Sequence, residues 1–198
     1  GPLLWSQYTL SKHVVKMTVL VAPMGLDYQG EAHLELLKNG KWVTQQSSKI
    51  HPFSSTAEFR LENWDDTVSV PYRVVLQDGI TMEEWSGTIR KNPEDKNTIT
   101  LASLSCMKDK AFPNHYIEQN VLAQDPDVLF FAGDQLYEGN GGFSIVRAYE
   151  LDEVYRASLN YLQKYWFFGW SFREAMRDRP SIIIPDDHDV FHPNLWGL

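Results

Sequence analysis

The chain has 198 residues, 43% of them hydrophobic and 22% charged, with a formal net charge of -8. That apolar content is enough for one substantial core or two modest ones, which excludes disorder as a description of the whole. The acidic balance excludes a large nucleic-acid surface, which needs a clustered basic face. No apolar run approaches the roughly 20 residues that span a bilayer.

The opening stretch GPLLWSQYTL carries neither a charged leader nor a cleavable apolar core. Further on, VVKMTVLVAPM has strand composition, and HLELLKNGKWVTQQ reads as two strands joined by Asn39-Gly40, the strongest short hairpin signal. TAEFRLENW, VSVPYRVVLQDG and EEWSGTIRK continue the pattern. Half a dozen or so short strands predict an all-β sandwich of immunoglobulin or fibronectin type over residues 1–97. A single cysteine, Cys106, rules out an internal disulfide, so the looser sandwich class fits better. Trp64 and Trp85 read as core residues, and His13, His33, His51 and His115 as surface or loop positions.

KNPEDKN, residues 91–97, is a polar, proline-containing break and places a domain boundary there. The grammar then changes over 98–198. TITLASLSC reads as a buried strand, HYIEQNVLAQ has helical spacing, and DVLFFAGD is a second strand. A long helical region follows from roughly Phe143 to Asp178, and SIIIPDD is a third strand. Strands buried on both faces and alternating with helices predict parallel pairing and an α/β layer architecture. Within the helical region, Tyr155, Leu159, Leu162 and Trp166 are spaced as a core stripe. Arg147, Arg156 and Arg173 read as solvated positions.

Each of the three strands ends on a chemically capable residue: Cys106, then Asp134, then Asp186, Asp187 and His188. Ligand sites of open α/β sheets lie at the carboxyl ends of strands. Taken singly, Asp134 after Gly133 also suits an ordinary turn, with Tyr137 a packed ring, and Cys106 suits a small buried apolar residue. In the run PDDHD, adjacent carboxylates after three isoleucines repel one another and lose hydration unless a cation or water shares the site, and a cation is the simpler explanation. His188 and His192 are four apart, but Pro193 follows at once, which argues against a zinc-protease helix. His192 reads as a loop residue or one that supports a ligand.

In this order, SLSC, DPDVLFFAGDQLYE and IIIPDDHDVFHPNLWG resemble the PhoD-like alkaline phosphatase and phosphodiesterase family of metallophosphatases. The resemblance implies a β-sandwich followed by the catalytic domain, with in-line hydrolysis of phosphate mono- or diesters by a metal-activated water. It makes Cys106 a thiolate ligand, standing where other metallophosphatases begin with an Asp-x-His pair. Asp134 becomes a bridge between two metals and Tyr137 a phenolate ligand of ferric iron. Asp187 takes the place of the asparagine in the wider Gly-Asn-His-Glu motif and holds the second metal. His188 faces the phosphate, and Asn194 orients it. The implied cofactor is a binuclear site with Fe3+ beside Ca2+ or another divalent ion, Zn2+ or Mn2+ included. A small phosphate ester or phosphodiester is the implied substrate, and export from the cytoplasm is the implied location.

Such domains run on for a comparable length and supply further Asp and His ligands. The expectation is therefore that this chain holds the first part of the catalytic domain, that the remainder lies in the same or a separate chain, and that alone it does not turn over substrate. The final strand IIIP is expected to expose an apolar edge. Two alternatives stay open: a noncatalytic binding or adhesion protein with a degenerate hydrolase-like half, and a mononuclear metal hydrolase acting on something other than phosphate.

Overall fold

A computed structural model describes residues 1–78 and 81–191. The chain forms two compact units: Gly1–Ile99 with Arg173–Pro180, and Thr100–Phe172 with the residues from Ser181 onward.

Among the described residues, unit one has seven strands: β1 (Leu3–Ser11), β2 (Val14–Val21), β3 (Glu31–Lys38), β4 (Lys41–Lys49), β5 (Thr56–Leu61), β6 (Val70–Asp78) and β7 (Thr81–Ile89). They make two antiparallel sheets, ordered β1-β2-β5 and β4-β3-β6-β7. Alternate residues of both sheets, among them Met17, Val19 and Phe59 from one and Leu34, Val74 and Leu76 from the other, meet in a single core. Each such side chain contributes about 1.5–3 kcal/mol by leaving water. Asn39 and Gly40 both have positive φ (51° and 74°), the geometry a two-residue turn between twisted strands requires.

β1 lies outside the sequence expectation, for a physical reason. A register shift between Leu3 and Trp5 buries Trp5 and Ser6 in succession and breaks the alternation that marks a strand. The buried Ser6 is fully used. Its Oγ accepts from Trp85 Nε1 (2.9 Å) and pairs with the Tyr72 hydroxyl, which itself donates to the Arg177 carbonyl (2.9 Å). Gly87 admits that carbonyl, since a Cβ there would stand 2.3 Å from the Arg177 oxygen. Asp178 Oδ1 accepts from the Thr88 amide on edge strand β7 (2.8 Å).

Unit two contains β8 (Leu101–Leu104), α1 (His115–Gln124), β9 (Val128–Ala132), most of α2 (Val154–Met176) and β10 (Ser181–Ile184). The three strands pair in parallel in the order β10-β9-β8. All three carboxyl ends therefore lie on one side of the sheet. Phe168 and Phe172 of α2 pack on Phe131 of β9 (ring centroids 4.8 and 5.4 Å) and cover the face that also carries Leu129.

Burial on both faces does not occur: Leu101, Ile182 and Ile184, on the opposite face, are each about half exposed. The expected helix from Phe143 is also shorter, because 143–150 is irregular and α2 starts at Val154 after a 3-10 turn at Leu151–Glu153. The buried stripe of α2 is Asn160, Lys164, Phe168 and Phe172, whereas Tyr155, Leu159, Leu162 and Trp166 are half-buried. Polar residues enter this stripe because the irregular segment needs partners. Asn160 accepts from the Val146 amide and donates to the Ser144 carbonyl, and Lys164 donates to that carbonyl and to Asn160. Among the described residues no helix is long and apolar enough to cross a membrane.

Candidate metal centre

The ends of β8 and β9 leave the sheet through strained backbone. Cys106, Gly133 and Asp134 all have positive φ (59°, 89° and 57°), conformations that non-glycine residues keep only where their surroundings impose them. A side chain at Gly133 would put its Cβ 2.5 Å from the Asp186 Cβ, so glycine is what lets the two loops approach. The loop after β8 is tied to the one after β9 by Cys106 N–H to the Gly133 carbonyl (3.3 Å) and Met107 N–H to the Asp134 carbonyl (2.9 Å).

These turns bring Asp134, Asp187 and His188 together, each offering a ligand atom within 4.8 Å of the others. Asp134 is buried. Its Oδ2 accepts from the Tyr137 hydroxyl (3.0 Å) and the Cys106 thiol (3.6 Å), while Oδ1 is buried with no hydrogen-bond partner. An orphaned carboxylate oxygen in such a place is costly unless something positive meets it. Cys106 is exposed, so the reading of it as a small buried apolar residue does not hold. Asn194 and His192 lie outside the described residues.

The acidic run sorts into three environments. Asp186 is exposed and Asp187 turns to the cluster. Asp189 is buried and accepts three amides: Asp134 N–H (2.7 Å) and Asp186 N–H (2.9 Å) on Oδ2, and Leu136 N–H (3.1 Å) on Oδ1. One carboxylate thus ties the loop after β9 to the loop after β10. Residue type and spacing gave no role to Asp189 or to Glu138. Glu138 Oε2 lies 2.8 Å from His188 Nδ1, and the His188 ring lies against Tyr137 at 4.2 Å between centroids, tilted by 39°.

Burial, then the Cys106 and Asp134 contacts, push the Tyr137 phenol well above its ordinary pKa, so it is neutral when no cation is present. Burial draws the His188 pKa down, but Glu138, followed by Asp134 and Asp187, outweighs it and the net shift is upward. The upward shift of His188 reports the negative charge of the carboxylates around it, which a cation would relieve. Asp134, Asp187 and His188, two carboxylates and an imidazole, could hold a metal ion, with the Tyr137 phenol and the Cys106 thiol against the other oxygen of Asp134. No protein-family model and no curated protein sequence matches the chain.

Proposed function

We propose that the second unit carries a metal centre for the hydrolysis of phosphate mono- or diesters, in the manner of the PhoD-like metallophosphatases it resembles. The observation that carries this reading is Asp134. One of its oxygens is buried without a partner beside Asp187 and His188, and the other already gathers Tyr137 and Cys106. On this reading Asp134 would serve two ions, one with Cys106 and Tyr137, the other with Asp187. Iron suits the thiol and phenol side, and calcium, zinc or manganese the carboxylate side. Bound metal would supply a water of lowered pKa and neutralise charge on the phosphoryl oxygens. His188 would meet the substrate and stabilise its charge or protonate the leaving oxygen.

This reading also makes the first unit an immunoglobulin- or fibronectin-like sandwich, which its three-plus-four strand split supports, and the second the start of an α/β metallophosphatase-like domain. Further ligands would come from the rest of that domain, and the protein would act outside the cytoplasm.

Elemental analysis and a visible spectrum of the longest natural protein containing this chain, beside the 198-residue chain itself, test the reading. Stoichiometric iron with a phenolate or thiolate charge-transfer band, lost in Tyr137→Phe or Cys106→Ser, is the expected result. No stoichiometric metal after reconstitution would overturn it in favour of a noncatalytic binding protein.

A further inference from the structure

We propose that Glu138 is a positioning residue that fixes which nitrogen of His188 meets the substrate; this rests on the metal-dependent hydrolase reading above. Glu138 stands outside the Asp134–Asp187–His188 group, yet its Oε2 lies 2.8 Å from His188 Nδ1. A carboxylate only accepts hydrogen bonds, so the contact requires the proton on Nδ1. Nε2 is then the nitrogen left for a substrate oxygen or an ion.

The Tyr137 ring packs against the imidazole and limits its rotation. Tyr137 is itself anchored through its hydroxyl to Asp134. His188 is therefore held at one nitrogen by Glu138 and across its plane by a residue of the same cluster. The consequence for reactivity is specific: in the imidazolium form Nε2 carries the proton, so a substrate whose leaving oxygen needs one depends on an oriented, protonated His188, whereas a substrate with a stable leaving anion does not.

The first measurement is long-range nitrogen–proton correlation NMR on the metal-free 198-residue chain labelled at histidine, at one alkaline pH where imidazole is neutral. Parent chain and Glu138→Gln, whose amide oxygen still accepts, are expected to show the Nδ1–H tautomer for His188. Glu138→Ala is expected to shift to the Nε2–H form. A parent already in the Nε2–H form, or an unchanged tautomer in Glu138→Ala, overturns the proposal.

The second measurement is turnover by the metal-loaded longest natural protein. Glu138→Ala should lose about 10- to 100-fold in kcat on an alkyl phosphate, the usual scale for partners that orient a site residue, but less than about threefold on dinitrophenyl phosphate, with unchanged metal content. Equal losses on both substrates count against the proposal. A parent protein inactive on both substrates sinks the phosphate reading, and the tautomer result still decides the role of Glu138.

Discussion

Replacing Asp189 with asparagine tests whether one buried carboxylate holds the two loops of the centre together. Three amides converge on Asp189, two on Oδ2 and one on Oδ1. Asparagine has a single acceptor oxygen. Placed where Oδ2 stands, that oxygen keeps the Asp134 and Asp186 amides as weaker neutral bonds and turns its NH2 group towards the Leu136 N–H. A bond to a charged acceptor contributes about 1.5–3 kcal/mol, and the two surviving bonds fall to roughly half strength. Relief from burying a charge offsets part of this, leaving a net loss of about 2–4 kcal/mol. Hydrogen-exchange mass spectrometry across a urea series reads the opening free energy of the segment around 128–138, and the segment 14–61 serves as internal reference. The control is Asp187→Asn, at a half-buried position whose carboxylate makes no clamp, with an expected change within about 0.5 kcal/mol in the absence of metal. Equal effects of the two substitutions, or less than about 0.5 kcal/mol for Asp189→Asn, would refute the clamp.

In the longest natural protein, Asp134→Asn should lose metal and activity together, whereas His188→Ala should keep most of its metal and lose catalysis; elemental analysis beside a phosphate-release assay separates them. Phe168→Ala, at a fully buried ring packed on Phe131 and Phe172, should cost about 3–5 kcal/mol in urea unfolding. Tyr72 and Tyr8 have pKa values raised chiefly by burial, so the folded chain keeps them neutral at a pH where the unfolded chain ionises them. Their contribution is complete below the ordinary tyrosine value of 10.0 and is lost as pH rises towards the folded values. Stability should therefore fall above that pH, and less steeply in Tyr72→Phe, as followed by alkaline denaturation.

Wherever local pattern and tertiary role coincide, the sequence was readable. Alternating apolar residues mark β2, β3, β5 and β6, Asn39-Gly40 announces its turn, and HYIEQNVLAQ matches α1 from end to end. Cys106, Asp134 and Asp187 each follow a strand, and parallel pairing carries those strand ends to one side of the sheet. What stayed hidden depends on partners distant in sequence. A bulge disguises β1, and Asn160 and Lys164 are buried because they serve residues 144–146. Asp189 resembles any acidic neighbour of Asp187 until three amides are seen to point at it. Glu138 reads as a surface residue until His188, fifty positions later, arrives beside it.

The first unit is completed by residues 173–180, which enter it only after the chain has passed through most of the second. During synthesis from the amino terminus, the seven strands can collapse early. The Tyr72 hydroxyl still awaits the Arg177 carbonyl, and the Thr88 amide awaits Asp178. The sandwich leaving the ribosome is thus unfinished until the α2 segment has emerged. A scissor cut in the polar stretch 91–97 would likewise leave a first half that lacks its own closing piece, so the two units are separable on paper but not by a single break in the chain.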